Sequence, residues 1–369
     1  MKILFVSYDL GIGGIQKSLI NLLKKMVKEN PESQIDLLLF NAKGEYFDQL
    51  PKEINVLTAS KGLELSVKSY GQVKKDGSLS DRVKKICAYA RIKLLGYSRY
   101  YSKLVGKKIT HIGYDLAISY SHDNYCSKFL KGANLYVLRR VEAKEKHAYL
   151  HADISKEPVD LVHMESIYSQ FDKVFAVSKA CRDILIEKIP SLKDIADYRY
   201  NVFDEEELRT LADAYVPFEK QEGITYFSTV TRLSYAKGID RIFKIVEELV
   251  ASNVKIFKWY VVGEGQGEYT SSKLNSLTKK KELDSYLEFV GNKENPFPYV
   301  ANSDLFVFPS RFESFAMVVK EASILNVPIV TCDYSAAQEI LEGTGNTIVS
   351  NKCEDLYVYL SSYFKNTND

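Results

Sequence analysis

Short apolar runs alternate along this chain with longer segments of helical period. The runs at residues 2–7, 35–40, 115–120, 134–138 and 173–177 form one series, and those at 224–230, 256–262, 287–290, 304–308 and 327–331 form a second. Nearly continuous apolar runs of this length predict parallel strands covered on both faces, since an antiparallel sheet open to water on one side would alternate instead. Between the runs lie amphipathic segments. In 15–28, Ile15, Leu19, Leu22, Leu23 and Met26 share a face, and 238–251, 317–325 and 354–365 read in the same way. Two series of strand–helix repeats predict an α/β protein of two doubly wound, Rossmann-like domains. The seam falls near Tyr200, giving domains 1–199 and 200–369. There, YNVFDEEEL offers Asp204 as a helix cap followed by three glutamates in the first turn.

A chain of 369 residues with 46% hydrophobic and 27% charged content fits a globular protein of that size. Its net charge of +2 conceals an asymmetry. Residues 61–110 carry 13 Lys or Arg against 3 Asp or Glu, a balance of +10, so the remainder sums to −8. Within this stretch Val83, Ile86, Ala90, Leu94, Tyr97, Tyr101 and Leu104 recur at three- and four-residue steps. Arg82, Lys84, Lys85, Arg91, Lys93, Arg99 and Lys103 fill the rest of the turn, with a break at Gly96. Two readings follow: a helix with its stripe against the core and a solvated basic side, or a basic amphipathic helix that meets anionic lipid. Nucleic acid ranks below both, because no recognised binding motif accompanies the charge.

Five scattered cysteines without a C-x-x-C pair argue against a zinc site or a disulfide framework and for a reducing cytosol. The apolar run at the N-terminus is too short for a signal-peptide core. No stretch approaches the ~20 apolar residues of a membrane-spanning helix, so any membrane contact is expected to be peripheral.

Several loops after strands carry candidate chemistry. Gly11, Gly13 and Gly14 separate the first strand from the first helix. Glycine there permits close backbone approach to an anion at a helix N-terminus, although such glycines are also common simply as turns. Arg232 and Lys237 follow the strand at 224–230. Two fixed cations can neutralise a departing diphosphate without a metal, and the chain has no Asp-x-Asp motif; solvated loop residues are the plain alternative. Gly263 and Gly265 follow the strand at 256–262, and Val290, Gly291 and Asn292 close the next. Glu313 and Glu321 bracket a predicted helix start, about two turns or ~12 Å apart if helix spans the interval, too far to act on one atom. Glu313 could equally cap that helix. Five histidines are present, of which His151 in HAYLHADIS follows the apolar-aromatic run Ala148, Tyr149, Leu150, and His122 follows the run at 115–120.

Taken together, TVTRLSYAKGID, YVVGEGQGEY and FVGNKENPFPYVANSDLFVFPSRFESFAMVVKEA resemble the nucleotide-sugar half of the retaining, GT-B-fold glycosyltransferases of group 1. That resemblance implies two domains facing a central cleft, with the last helix crossing back to the first. It also implies a hexosyltransferase-type enzyme that moves a sugar from a nucleotide diphosphate, UDP by default, to an acceptor hydroxyl with retention and without metal or cofactor. Carried over residue by residue, it sets Gly14, Arg232 and Lys237 against the phosphates, with the amides of Phe315, Ala316 and Met317. Gly263 and Gly265 would lie near the nucleotide, and Val290, Gly291 and Asn292 near the base. Glu321 would hold ribose hydroxyls and Glu313 sugar hydroxyls. His151 would lie by the reacting ring, with Asp153 as a supporting contact. Ser314 and Ala316 depart from the family, which often has glycine in both places. The family members most like this chain build surface polysaccharide or glycolipid, which implies a carbohydrate or lipid-linked acceptor and a cytoplasmic protein, possible partner of an anionic membrane through residues 61–110. A sugar-nucleotide epimerase or hydrolase on the same architecture, and a non-catalytic binding partner, are the alternatives.

Overall fold

The computed structural model of the chain describes residues 1–123, 125, 131–156 and 158–366. Its backbone divides into two compact units, Met1–Val202 and Phe203 onward. The seam lies slightly beyond the expected Tyr200 because the connecting segment is tied to the first unit. Ser18 Oγ donates to Asn201 Oδ1 at 2.5 Å, and Asn21 Nδ2 donates to the Val202 carbonyl at 2.9 Å.

The first unit holds a seven-stranded sheet of β1 (Lys2–Ser7), β2 (Gln34–Leu39), β3 (Asn55–Thr58), β4 (His111–Ser119), β5 (Val141–Leu150), β6 (Lys173–Ala176) and β7 (Ala196–Tyr198), in the order β3-β2-β1-β4-β5-β6-β7. Every pairing is parallel. Both faces are covered, as the apolar runs predicted. Leu4 and Val6 enter one apolar cluster with Leu38, Ala117 and Ala148, while Ile3 and Phe5 enter another with Leu19, Leu23 and Leu37. The helix Gly14–Glu29 supplies Leu19, Ile20 and Leu23 to the latter. Chain order reverses between β1 and β4, so the loops after these two strands flank the sheet's switch point.

One expected strand is a helix. Residues 134–138 lie within Ala133–Arg140, and the strand is the following Val141–Leu150. The buried carboxylate of Asp123 decides this by taking the first amides of the turn. Oδ1 accepts from Gly132 at 3.0 Å and Ala133 at 2.9 Å, and Oδ2 accepts from Asn134 at 3.1 Å. An acid satisfying three orphan N–H groups holds a helix N-terminus in place. Gly132, at φ 88° just before the helix, makes the entry.

The second unit repeats the scheme with β8 (Thr225–Val230), β9 (Phe257–Val262), β10 (Leu287–Gly291), β11 (Leu305–Phe308), β12 (Ile329–Cys332) and β13 (Thr347–Val349), in the order β10-β9-β8-β11-β12-β13 and again all parallel. Here the reversal falls between β8 and β11. The helix Ile239–Ala251 buries Ile242, Ile245, Val246 and Leu249, each worth roughly 1.5–3 kcal/mol of apolar burial. The closing helix Cys353–Asn366, which the resemblance sent back toward the first domain, lays Leu356, Leu360 and Phe364 into this second core. Trp259, the chain's single tryptophan, is fully buried in the same core.

Candidate functional site

In an open parallel sheet, the loops leaving the carboxyl ends of the two strands at the switch point splay apart and form a crevice. In the second unit those are the loops after β8 and β11, and they carry Arg232, Lys237, Glu313 and Ser314. The ends of the two strands are pinned together. Thr229 Oγ1 donates to the Val307 carbonyl at 2.5 Å and accepts from the Trp259 indole at 3.0 Å. Gly238 follows, left-handed at φ 76° and so close to the neighbouring loop that a Cβ there would stand 2.3 Å from the Pro309 carbonyl oxygen.

Across this contact Lys237 Nζ forms an ion pair with Glu313 Oε1, to which Ser310 Oγ also donates at 2.9 Å. Both charged side chains are largely enclosed, Lys237 at 19% exposure and Glu313 at 12%. The plain alternative for Lys237, a solvated loop residue, is therefore set aside. Glu313 does not cap the helix, either; its carboxylate is turned to the lysine. Arg232 is exposed and makes no hydrogen bond or ion pair with the described residues. The site thus holds one cation already matched to a carboxylate and one open to solvent.

Two arginines that the sequence reading passed over brace these loops. Arg311 grips Asp240 with two bonds of 2.8 and 2.6 Å and lies 3.8 Å over the Tyr235 ring. Arg241, buried on the inner face of its helix, donates to the Pro309 carbonyl at 3.0 Å and to the Asn351 side chain and carbonyl at 2.8 and 2.9 Å. An arginine at a core-facing helical position was the signal available for Arg241, because a buried guanidinium must have partners waiting.

The helix expected after Glu313 begins at Met317, so Glu313 and Glu321 are separated by a loop and a turn of helix rather than two helical turns. Glu321 is buried on that helix, and Phe315 stacks on Phe203 with ring centroids 6.2 Å apart. Ala316 caps the helix N-terminus in the left-handed region, φ 58° and ψ 69°, with no side-chain hydrogen bond at the cap. A Cβ in that conformation costs roughly 1–2 kcal/mol, which accounts for glycine being the easier residue here.

Gly263 and Gly265 have a demanding backbone reason of their own. A Cβ on Gly263, at φ 140°, would fall 1.8 Å from the Thr231 carbonyl oxygen, and one on Gly265 would fall 2.4 Å from that of Leu233. These glycines let the loops after β8 and β9 lie against each other, joined by a bridge between Leu233 and Gly265. Gly263 N–H also donates to the Gly291 carbonyl at 2.9 Å, which brings together two of the stretches assigned to the nucleotide. Gly291 sits at φ 75° where the β9–β10 register shifts, between the half-buried Val290 and the exposed Asn292.

In the first unit the loop after β1 carries Gly11, Gly13 and Gly14. Its amides already face carboxylates: Asp9 Oδ1 accepts from Gly11 at 3.1 Å and Glu45 Oε2 from Ile12 at 3.2 Å. The helix that starts at Gly14 has no acidic residue in its first turn and no side-chain cap. Beyond β4 and β5 the two histidine candidates converge. His151 Nε2 donates to the Tyr120 carbonyl at 2.8 Å, and its ring stacks on Tyr149 at 5.8 Å. A carbonyl only accepts, so the proton is on Nε2. Burial, with His122 close by, pushes the His151 ring down to about 3, and burial with Lys131 pushes His122 down to about 4. Both rings are neutral at physiological pH. Asp153 belongs to the local turn, its Oδ1 accepting from the Ser155 amide at 2.9 Å and hydroxyl at 2.6 Å. Among the described residues no group of three or more His, Cys, Asp or Glu side chains is placed to hold a metal ion, and no helix is long and apolar enough to cross a membrane.

The family described as Glycosyl transferases group 1 matches residues 224–364, a span that takes in all six strands of the second sheet. An uncharacterised glycosyltransferase of Methanocaldococcus jannaschii is 29% identical over 205 residues, covering 53% of this chain and 47% of the relative. The O-antigen biosynthesis glycosyltransferase WclY of Escherichia coli is 26% identical over 181 residues, 48% of each chain. The chain therefore spans about half the length of the curated relatives it matches. Among solved structures, Anabaena HepE in complex with UDP-glucose is similar with a TM-score of 0.64 at 18% identity, covering 100% of this chain and 91% of that one. WaaG, a glycosyltransferase involved in lipopolysaccharide biosynthesis, is similar with a TM-score of 0.57 at 13% identity, covering 98% and 90%. At such identities the likeness is one of fold, and it bears out the expected pair of α/β domains.

Proposed function

Residues 224–364 belong to the group 1 glycosyltransferases, and from that premise we propose that the whole chain moves a sugar from a nucleotide diphosphate, UDP by preference, to an acceptor hydroxyl, retaining the anomeric configuration. The observation that carries the proposal is the enclosed Lys237–Glu313 pair, which joins the two loops at the switch point, with the solvent-open Arg232 on the loop that bears Lys237. As the glycosidic bond breaks, negative charge gathers on the departing diphosphate. Arg232 and Lys237 would receive it, Lys237 exchanging its carboxylate partner for phosphate, in a setting where preorganised charge costs no reorganisation. Glu313, released from the lysine, would accept hydrogen bonds from the sugar hydroxyls. In this reading the two cations replace a metal. His151, neutral and oriented by the Tyr120 carbonyl, would position a hydroxyl rather than stabilise charge. That HepE is solved with UDP-glucose and WclY is named for O-antigen biosynthesis supports UDP as the nucleotide and a surface polysaccharide or lipid-linked glycan as acceptor, which would bring the protein to the inner face of a membrane.

Thermal shift against a panel of nucleotides and nucleotide sugars tests the reading. A ligand present at a hundred times its Kd stabilises by about 2.7 kcal/mol, so UDP and one UDP-sugar should raise Tm where UMP does not. Absence of a shift with every nucleotide diphosphate would end the proposal. The donor that binds is then incubated without acceptor. Fast turnover there would replace transfer by epimerase or hydrolase chemistry. Transfer should also survive EDTA; loss on chelation that added Mg²⁺ or Mn²⁺ restores would overturn the metal-free reading.

A further inference from the structure

The helix Leu79–Leu95 is mounted with its apolar side outward. Leu79, Val83, Ile86 and Leu94, with Ala90, recur at steps of three and four along one line, and the four large ones are 75%, 53%, 53% and 83% exposed. The opposite line, Asp81, Lys85, Ala88 and Ile92, faces the protein, and its buried members are the acid and the lysine. Lys85 fixes this roll. Its ammonium reaches inward and donates to the Leu65 carbonyl at 2.8 Å and the Ser66 carbonyl at 3.4 Å. A capping box between Ser78 and Asp81 holds the start of the helix. After Gly96, at φ 76°, the next helix Tyr97–Val105 turns its own apolar residues inward, burying Tyr101 and Val105. The inward-facing stripe expected as one alternative is therefore found only beyond Gly96.

An outward apolar line needs something to cover it, and its borders say what. Lys84 and Arg91 run along one side, Arg82 and Lys93 along the other, and Lys103, Lys107 and Lys108 follow nearby in sequence, so that residues 61–110 balance to +10. Cations flanking an apolar line match the anionic headgroups and acyl boundary of a membrane, whereas a protein partner's core would have to desolvate them. We infer that the helix Leu79–Leu95 lies in the plane of an anionic bilayer surface, with Leu79, Val83, Ile86 and Leu94 immersed in it. This gives the lipid-linked acceptor of the proposed function a docking surface. It rests on that reading only for its biological purpose.

The test uses the full chain and needs neither donor nor acceptor. Vesicles of phosphatidylcholine with phosphatidylglycerol are compared with phosphatidylcholine alone. The protein should sediment with the anionic vesicles and lose binding as salt rises past the ~8 Å screening regime of physiological salt. Val83→Asp with Ile86→Asp should weaken partition about tenfold or more, since these chains would otherwise bury most of their apolar area. Lys84→Glu with Arg91→Glu should cost a similar factor, at roughly fivefold per charge. All four positions are exposed, so the thermal unfolding midpoints of the ligand-free variants should match the parent's and report an intact fold. A Val83→Trp variant reports depth, because the native Trp259 is buried elsewhere. A blue shift and quenching by brominated lipid support insertion; sedimentation without quenching overturns it in favour of a purely electrostatic contact. No sedimentation at low salt overturns the inference, as does a vesicle-independent dimer that the Val83/Ile86 variant abolishes, which would make the face a contact between copies. In either case UDP binding remains as a separate result, so the transferase reading stands or falls independently.

Discussion

Glu313→Gln should separate binding of the leaving group from the transfer itself. In the free protein Glu313 and Lys237 are ion-paired and nearly enclosed, with Ser310 supporting the carboxylate. Removing the charge leaves an ammonium in a partly desolvated place. The cost lies between the ~0–1 kcal/mol of an exposed pair and the ~3–5 kcal/mol of a broken buried one, hence about 2 kcal/mol. For a unit of this size that is a fall in Tm of roughly 4–8 °C. A diphosphate bound at Lys237 would supply the missing charge and would no longer be repelled by the carboxylate. Two unit charges ~5 Å apart at an effective dielectric of about 20 interact by about 3 kcal/mol, of which relaxation and solvent remove a large share. UDP should therefore bind the variant about tenfold more tightly than the parent, a difference of ~1.4 kcal/mol. Transfer should nevertheless slow by about two orders of magnitude, because the contact to the reacting sugar is gone. Calorimetric titration with UDP and a UDP-release assay on the same preparation measure both. Unchanged or weaker UDP binding, together with the lower Tm, would show that the pair is structural and that Lys237 does not face phosphate.

Arg232→Ala, which removes a cation already open to solvent, should leave the unfolding free energy within about 0.5 kcal/mol of the parent's yet lower kcat by about two to three orders of magnitude, read by UDP release. Ala316→Gly should stabilise the protein by about 1 kcal/mol in chemical unfolding, by relieving a Cβ held at φ 58°. Acid should weaken the first unit. His151 and His122, pushed down to about 3 and about 4 from an ordinary 6.5, favour the neutral ring in the folded state. Their contribution is complete above pH 6.5 and is lost as pH falls through the folded values. Asp123, pushed up to about 6 by burial, works the other way below that pH, so urea midpoints between pH 7 and 5 should show His151→Gln reducing the slope without abolishing it.

The sequence carried the strand framework because parallel strands must be apolar on both faces, and nine of its ten runs fall on strands. The tenth failed at 134–138, where a local apolar run was outvoted by a carboxylate eleven residues upstream. Strand β5 escaped notice because its first half, Val141 to Lys146, is largely exposed and reads as polar. Arg232, Lys237 and Glu313 were legible from their spacing after strands, but the Lys237–Glu313 pair was not, since only the close approach of Gly238 to Pro309 brings the loops together. The opposite error threatens at Gly263, where a glycine suggestive of a ligand answers to the Thr231 carbonyl. Periodicity also revealed the stripe from Val83 to Leu94 without its direction. That was decided by where a single lysine, Lys85, found two carbonyls.

The switch point that opens each crevice also orders events during folding. β1 lies between β2 and β4, and Ile3 must wait for Leu116 before that edge is closed. In the second unit Phe227 likewise waits for Leu305. At a synthesis rate of ~5–20 residues per second, the first of these gaps keeps an apolar strand edge unpaired for several seconds or longer. Central strands with distant partners make folding slow, because loop closure precedes any reward from pairing. The residues most exposed to misassociation in that interval are the ones most deeply enclosed at the end, Ile3 to Val6 and Tyr226 to Thr229. A cell making this protein therefore has reason to shelter the nascent chain until β4, and later β11, has emerged.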